Sequence, residues 1–356
     1  MNVLFVFYNP SGGMDTVNRE RVDALRAYGI NGHCLYFMSG PGVQNNYPMP
    51  TFVTNNDNDI YQILMQGSYT AIIVVSAYDT LPRLRGLGYT GRLIFEVQGF
   101  GPKEVARQVL SQAQPVIETY ADALLTPYTP HIVEILQQVY PAKPKFNIHN
   151  CLNTSRFSYR AHPRLENPVL AWIGRIEDNK NWNEFLLISH HLLQHRPDLR
   201  LWMFEDPALS APVERQQFYQ MIQELELQHY LTIHADVPHA AMPDYFSRVG
   251  DSGGMLISTS KVEGGPMSVL EAISCRCPVL TTDSDGVRSA VVHNITGKYY
   301  TLGNIQEAVQ EALTLMHDHT LRNNITEQAL AHVQMYFSPE QYGTSFRSML
   351  VQLGVY

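Results

Sequence analysis

The chain of 356 residues is 45% hydrophobic and 16% charged, a composition typical of a folded protein rather than a disordered one. Its length is long for a single hydrophobic core, so we expect two α/β domains. The formal net charge is −8: residues 1–165 carry 13 basic and 11 acidic side chains and the remainder carries 12 and 22, which argues against a nucleic-acid partner.

The sequence also disfavours a disulfide-rich, a zinc-binding and a membrane-spanning protein. Four cysteines are too few and too scattered for a disulfide framework, and Cys275-Arg276-Cys277 lacks the second pair that a zinc site needs. No apolar run has transmembrane length, and residues 1–7 predict a strand rather than a signal peptide because no basic segment precedes them. We expect a cytoplasmic protein with at most peripheral membrane contact, since the first half lacks a cluster of basic residues for anionic lipid.

Strands alternate with helices in the first part of the chain. Residues 2–8 predict a strand, and Asn9–Gly13 predicts a glycine turn. A helix follows at 15–28 with Asp15 as its N-cap, and a strand at 32–38 completes a βαβ unit. Further strands are predicted at 71–75, 93–98 and 123–126. This alternation implies a parallel sheet that is covered on both faces.

Ligands of parallel sheets bind beyond the carboxyl ends of the strands. The residues predicted there are Tyr8, Asn9, Gln98, Gly99 and Thr126. Gly12 and Gly13 follow the first strand, and the sequence leaves open whether they face a ligand or only turn the chain.

The segment Gly99–Glu104 imitates a dinucleotide-binding fingerprint after a predicted strand. Glu104 occupies the position of the third glycine, and its side chain does not allow the helix to pack closely on the strand. We therefore do not expect a nicotinamide or flavin cofactor. The helix start near Pro102 still offers N–H groups to a negatively charged ligand.

Residues 161–167 are polar, contain proline and show no periodicity, which predicts a linker between domains. We place the domains at residues 1–163 and 164–337, followed by a C-terminal helix in 338–356. The second domain is predicted to contain strands at 169–175, 199–204, 231–234, 255–258 and 278–282 and helices at 182–195, 212–226, 304–317 and 320–335.

The strand at 169–175 ends in Gly174 and Arg175, and Lys180 follows five residues later. Two cations after a first strand suit a diphosphate, because arginine binds it bidentately and lysine adds a mobile point charge. Surface cations are usually only solvated, so the pair by itself does not establish a site.

Residues 261–278 carry two glutamates, Glu263 and Glu271, on either side of Gly264-Gly265-Pro266. Proline suits a first helical position, so we expect a helix from Pro266 to about Cys275. The glycines allow close approach of a ligand, and the N–H groups at the helix start predict a phosphate site. The acid and nucleophile of a glycoside hydrolase are a poor alternative. Even on one continuous helix, about 12 Å of rise would separate the two carboxylates, about twice the spacing that a retaining hydrolase needs.

The two motifs, Gly-Arg followed by Lys180 and Glu-x7-Glu, resemble those of the family-four retaining glycosyltransferases, and NIHNCLNTSRF at 147–157 resembles the passage that ends their first domain. The resemblance implies an α/β protein of the GT-B fold, with two Rossmann-like domains whose parallel sheets face across a cleft and a last helix that packs on the first domain. It also implies transfer of a sugar from a nucleotide-diphosphate sugar to a hydroxyl acceptor with retention of configuration, in polysaccharide or glycoconjugate biosynthesis.

The resemblance assigns roles to residues by position. Those implied in catalysis are Arg175, Lys180 and Glu263. Those implied in donor binding are Gly174, Gly264, Gly265, Pro266, Met267, Ser268 and Glu271, with Glu271 on the ribose and Ala235 and Val237 near the base. Those implied on the acceptor side are Gly12, Gly13, Gln98, Gly99 and Thr126. The chain departs from the family at Gln98, Ala235 and Ser289, where histidine, glycine and glutamate are usual.

We expect no cofactor and no metal, because the cations can neutralise the diphosphate and Asp283-Ser284-Asp285 falls outside the phosphate loops. The expected partners are a nucleotide sugar and a glycan, lipid-linked or small-molecule acceptor. The alternative is a non-catalytic subunit that binds a nucleotide sugar and regulates a partner enzyme. The sequence does not determine the donor sugar, the nucleotide base, the acceptor or the linkage that is formed. The oligomeric state is also open, and a homo-oligomer is one of the alternatives.

Overall fold

The computed structural model describes residues 1–40, 42 and 48–355. The chain divides into two compact units: unit 1 comprises Met1–Asn153 and Tyr336–Tyr356, and unit 2 comprises Thr154–Met335. The division between them lies ten residues before the expected boundary at 163/164. The physical reason is that residues 159–162 are bound to unit 2: the Tyr159 hydroxyl donates to Asp251 (2.9 Å), and His162 Nε2 lies 2.8 Å from a carboxylate oxygen of Asp244.

Both units are built from parallel strands joined by helices. The strands are β1 (Asn2–Phe7), β2 (Asn31–Tyr36), β3 (Thr51–Val53), β4 (Tyr69–Val75), β5 (Arg92–Glu96), β6 (Ala123–Thr126), β7 (Lys145–Asn147), β8 (Val169–Ile173), β9 (Arg200–Glu205), β10 (Leu231–Ala235), β11 (Met255–Ser258), β12 (Val279–Thr282) and β13 (Lys298–Tyr300). The helices are α1 (Gly12–Arg26), α2 (Asp57–Gly67), α3 (Thr80–Gly86), α4 (Lys103–Gln112), α5 (Gln114–Tyr120), α6 (Pro130–Val139), α7 (Trp182–His195), α8 (Pro212–Glu224), α9 (Met242–Asp251), α10 (Met267–Ser274), α11 (Ile305–His317), α12 (His319–Tyr336) and α13 (Pro339–Gln352).

In unit 1 the seven strands form one sheet in the order β3-β2-β1-β4-β5-β6-β7, and every neighbouring pair is parallel. The central strands read as continuous apolar runs, and Val3–Val6 and Ala71–Val75 are fully buried. Such runs are expected where helices cover both faces of a parallel sheet. The α/β class with a covered parallel sheet is therefore confirmed for this unit.

Helix α1 begins three residues earlier than the sequence predicts. Ser11 occupies the N-cap position, and Gly12 opens the helix with φ of +55°, a conformation that glycine adopts without strain. Asp15 is therefore not the cap; it is buried and pairs with Arg19 one turn later. Gly12 and Gly13 consequently lie in the first helical turn rather than in a loop before it.

The last helix, α13, belongs to the core of unit 1. The ring of Phe346 lies 6.0 Å from that of Phe5 in β1, and Met349 and Leu350 are buried in the same apolar cluster. Gly343 allows this approach, because a Cβ at that position would lie 2.1 Å from the ring of Tyr28, two residues after the end of α1. The end of the chain thus completes the face of the sheet that α1 covers.

Unit 2 contains a six-stranded parallel sheet in the order β10-β9-β8-β11-β12-β13. Its core on one face is built around large buried side chains, among them Trp172, Phe185, Phe218 and Tyr300. On the other face, His234 of β10 stacks on Phe204 of β9 at 4.9 Å between ring centroids. Among the described residues, no helix is both long and apolar enough to cross a membrane.

His234 makes the stability of unit 2 sensitive to acid. Its ring is enclosed by the rings of Phe204, Trp202 and Tyr245, with centroid distances of 4.9 to 5.3 Å. Burial, with a smaller contribution from Arg248, lowers the pKa of the imidazole below its usual 6.5. Well above that pH the side chain is neutral in the folded and the unfolded chain alike. As the pH falls towards 6.5 and below it, the unfolded chain binds the proton first, so the free energy of unfolding decreases.

We predict that His234→Phe, which keeps the ring contacts, makes the decline in the free energy of unfolding between about pH 7.5 and about pH 5.5 shallower. Urea denaturation at a series of pH values measures it. His191→Gln is the control, because His191 is exposed on α7 and should leave the slope unchanged. An unchanged slope in His234→Phe would show that this histidine does not contribute to the acid sensitivity.

Candidate active site

Two loops meet at the carboxyl edge of the sheet in unit 2. The first follows β8 (174–181) and the second follows β11 (259–266); the two strands are parallel neighbours at the centre of the sheet. The hydroxyl of Thr259 lies 2.9 Å from the carbonyl oxygens of both Lys180 and Asn181 and accepts from the indole N–H of Trp172 at 3.0 Å. The Lys261 amide donates to the carbonyl of Asn179 (2.8 Å), so the loops are joined along their length.

This junction brings two sequence-predicted residues into direct contact. Lys180 Nζ lies 2.6 Å from Glu263 Oε1, and the exposed fractions of the two side chains are 23% and 13%. A charge-assisted hydrogen bond of this length in a largely buried place fixes both groups relative to each other. The cation expected on the diphosphate and the carboxylate expected on the donor sugar therefore form one unit.

Arg175, the third residue implied in catalysis, is placed differently. Its guanidinium pairs with Glu177 Oε1 at 2.9 Å rather than with Glu263, and its side chain is half exposed. Glu177 was not singled out from the sequence. An exposed pair of this kind contributes at most about 1 kcal/mol, so Arg175 can leave it at little cost when an anion approaches.

Two glycines leave room for the side chain of Lys180 and for the backbone of Glu263. A Cβ at Gly174 would lie 3.0 to 3.1 Å from the ring of Trp172 and from Cγ of Lys180, so glycine leaves room for the lysine stem. A Cβ at Gly286, in the turn after β12, would lie 2.0 Å from the carbonyl oxygen of Glu263. The turn at Gly286 thus lies directly against the backbone of Glu263, a contact that was not predicted from the sequence.

The helix predicted at 266–275 is α10, one residue shorter at each end. Pro266 occupies the N-cap position and is not the first helical residue. The amide of Met267 donates to the carbonyl of Gly265 at 2.9 Å, so this N–H of the expected phosphate site already has a partner. Gly264, Gly265 and Ser268 are half-buried, so none of the three is fully enclosed.

Glu271 lies inside α10, and its side chain is only 5% exposed. His239 Nε2 lies 2.8 Å from Glu271 Oε1 and, because a carboxylate accepts, donates to it. His239 begins a 3₁₀ turn four residues after the end of β10. Sequence reasoning missed this residue, although its place beyond the carboxyl end of a strand is the signal that could have found it.

Two residues were expected near the base of the nucleotide, Ala235 and Val237. They lie with His239 between the end of β10 and the start of α9. Ala235 ends β10 and is exposed, and Val237 is half-buried. Asp236 between them has φ of +51°, and its amide donates to the carbonyl of Glu205 at 3.1 Å. The loop is thus held against β9 while Ala235 and Val237 stay near its surface.

In unit 1 the predicted acceptor-side residues differ in exposure: Gln98 and Thr126 are held by hydrogen bonds, whereas Gly12 and Gly13 are exposed. Gln98 and Asn150 exchange amide hydrogen bonds of 3.0 and 2.9 Å, and Gln98 also donates to Glu96 at 2.6 Å. Arg21 binds the other oxygen of Glu96 (2.6 Å) in a fully buried ion pair. Gln98 is therefore held in a polar network at the carboxyl edge of the sheet.

Thr126 is buried, and its hydroxyl donates to the carbonyl of Val97 at 2.8 Å, so it joins two strands instead of facing a ligand. Tyr8 and Tyr128 are each about half exposed at the same edge, with 47% and 48% of their surface accessible. Tyr128 lies 4.3 Å from the ring of His149. Tyr8, Tyr128, Gly12 and Gly13 are therefore accessible to a ligand, whereas Thr126 is not. Tyr128 and His149 were not singled out from the sequence.

Within residues 1–40, 42 and 48–355, no group of three or more His, Cys, Asp or Glu side chains is arranged to hold a metal ion. The four cysteines, all in this part of the chain, are buried thiols. Burial raises the pKa of Cys277 to about 12, which makes the side chain a weak ligand and a weak nucleophile.

Comparisons with known proteins relate part of the chain to a described family. Residues 156–332 match the family described as glycosyl transferases group 1. A curated relative, the poly(glycerol-phosphate) alpha-glucosyltransferase of Bacillus subtilis (strain 168), is 37% identical over 86 residues, which are 24% of this chain and 13% of that protein. The chain thus matches a small part of that relative's length.

Two solved structures resemble the chain over almost its whole length. Anabaena HepE in complex with UDP-glucose has a TM-score of 0.83 and 16% identity, with 99% of this chain and 100% of that chain covered. The sucrose-phosphate synthase of Thermosynechococcus elongatus has a TM-score of 0.81 and 16% identity, with 99% of each chain covered. At this identity the likeness shows the fold. The chain has the GT-B fold and, through residues 156–332, which include Arg175, Lys180, Glu263 and Glu271, it belongs to the glycosyl transferases group 1.

Proposed function

We propose that this glycosyltransferase moves a sugar from a nucleotide-diphosphate sugar to a hydroxyl acceptor, with retention of anomeric configuration, in polysaccharide or glycoconjugate biosynthesis. The observation that carries the proposal is the contact between Lys180 and Glu263. It joins a cation suited to a diphosphate with a carboxylate suited to sugar hydroxyls, beside two glycines and the start of a helix.

The reaction breaks the bond between the anomeric carbon and a phosphate oxygen of the donor, and the bonding electrons stay on the diphosphate. Lys180 has three N–H donors, so it can keep its contact with Glu263 and bind a phosphate oxygen at the same time. Arg175 supplies a second cation once it leaves Glu177. Both would stabilise the negative charge that develops on the leaving group.

Glu263 would accept hydrogen bonds from donor-sugar hydroxyls. The new bond joins the acceptor oxygen to the anomeric carbon, and the acceptor proton passes to the departing diphosphate, which carries the bonding electrons. We assign the neutralising role to the two cations rather than to a metal ion, so the reaction should need no added metal. UDP-glucose, which is present in the HepE structure, is the first donor to test.

We assign the acceptor to the carboxyl edge of the sheet in unit 1. The half-exposed rings of Tyr8 and Tyr128 there offer apolar faces and polar edges, which suit the mixed surface of a sugar ring. A glycan acceptor, free or lipid-linked, fits this surface better than a small charged metabolite. Gln98 and Asn150 give the edge a fixed polar centre.

We predict that the purified protein, incubated with a panel of nucleotide-diphosphate sugars in EDTA, slowly releases the nucleoside diphosphate from one of them. Chromatography of the nucleotide products measures the release. Release that stops in EDTA and returns with Mg²⁺ would contradict the metal-free mechanism. Binding without cleavage of any donor, even with glycan acceptors added, would favour the non-catalytic subunit.

We predict that Lys180→Met lowers the turnover rate about 10²- to 10³-fold, as loss of one donor to a developing anion does. Because Lys180 and Glu263 act as a unit, the double variant with Glu263→Gln should be little slower than the slower single variant. Steady-state kinetics with the cleaved donor measures both. Arg196→Met is the control: Arg196 pairs with Asp198 at the opposite edge of the sheet and should leave turnover unchanged. If the losses of turnover in the two single variants simply add in the double variant, Lys180 and Glu263 do not act as a unit in catalysis.

We predict that the anomeric configuration of the product equals that of the donor. The coupling constant of the anomeric proton in the NMR spectrum of the fresh product distinguishes the two configurations. An inverted product would leave glycosyl transfer intact but would remove the retaining assignment.

A further inference from the structure

We propose that His239 is a positioning residue for Glu271 and thereby determines the preference of this protein for a ribonucleotide over a 2′-deoxyribonucleotide. The inference rests on the proposed function, because it assumes that Glu271 binds the ribose hydroxyls of the donor. It assigns a role to a side chain that neither motif contains.

Glu271 is the buried member of the Glu-x7-Glu pair, with 5% of its side chain exposed. A buried carboxylate needs a hydrogen-bond donor, since desolvation of an unpaired charge costs several kcal/mol. Within the described part of the chain, this carboxylate accepts one side-chain hydrogen bond, and the donor is His239. The orientation of the carboxylate therefore depends on the imidazole.

The imidazole is itself held in place. Its ring lies 5.1 Å from the ring of Phe157, with 34° between the planes, and Phe157 is buried beside Phe246 at 6.3 Å. The Phe157 contact comes from the segment that opens unit 2, and Phe246 comes from α9. The residues that hold His239 in place thus lie outside the two loops at 174–181 and 259–266.

The hydrogen bond leaves room for a ligand. A carboxylate offers about four lone-pair positions, and His239 uses one of them on Oε1. The remaining positions can accept from two neighbouring hydroxyls of a ribose. Because 28% of the His239 side chain is exposed, the pair lies at the edge of the accessible surface rather than in the core.

Two opposite roles of the histidine predict opposite results. If His239 positions the carboxylate, removing it weakens binding of a ribonucleotide and has little effect on a nucleotide that lacks the 2′-hydroxyl. If His239 instead competes with the ribose for Oε1, removing it strengthens ribonucleotide binding. The fixed ring and the lone pairs that remain available favour positioning.

The test is calorimetric titration of UDP, GDP and ADP and of their 2′-deoxy counterparts. For the base that binds, we expect the wild type to prefer the ribonucleotide by about tenfold or more, as loss of a hydrogen bond to a charged acceptor implies. We expect His239→Leu to reduce this ratio to about twofold or less, and His239→Gln, whose amide N–H reaches a similar place, to restore part of it.

His162→Leu is the matched control. His162 also donates to a carboxylate, that of Asp244, at the same 2.8 Å, and its side chain is 29% exposed. This variant should keep the full ribose preference. Thermal unfolding of each variant shows whether the fold is intact, and the ratio of the two affinities is insensitive to the fraction of folded protein.

An unchanged ratio in His239→Leu, or tighter ribonucleotide binding, would overturn the positioning role and leave the glycosyltransferase proposal intact. A wild type that binds both nucleotides equally would overturn the ribose role of Glu271, and with it this inference. Absence of binding for every nucleoside diphosphate would instead contradict the proposed function itself.

Discussion

The candidate site depends on the parallel pairing of β8 with β11. Lys180 and Glu263 are 83 residues apart in sequence, and they meet because their loops leave neighbouring strands at the same edge of the sheet. Thr259, on the β11 side, bonds to Lys180 and Asn181 on the β8 side. Gly174 leaves room for the stem of Lys180, and Gly286 leaves room for the backbone of Glu263. A displacement of either strand would separate the cation from the carboxylate.

A second constraint is the burial of carboxylates that need partners from distant segments. Glu271 depends on His239 in unit 2, and Glu96 depends on Arg21 and Gln98 in unit 1. Each carboxylate lies within reach of the carboxyl edge of its own sheet. Paired in this way, a buried charge is fixed in orientation before any ligand arrives, which is the property that a binding site requires.

Much of the fold could be predicted from the sequence, because strands buried on both faces read as apolar runs and helices carry their own start and stop signals. Helix α7 was predicted with the bounds that the structure has, and α10 differs by one residue at each end. The start of α1 was predicted wrongly, since both Ser11 and Asp15 are good N-caps and the choice between them depended on Gly12 adopting a positive φ. Likewise, the linker composition of 161–167 did not reveal that His162 bonds to Asp244 of unit 2.

The α/β class, the alternation of strands and helices and the residue types of the two motifs could be read from the sequence, because these depend on local pattern and on spacing along the chain. The tertiary structure determines which of those residues touch. It joined Lys180 to Glu263, paired Arg175 with Glu177, buried Thr126 and brought His239 to Glu271. The physical reason is that such contacts form between strands and loops that are remote in sequence, so their partners are set by sheet order and packing rather than by any local signal.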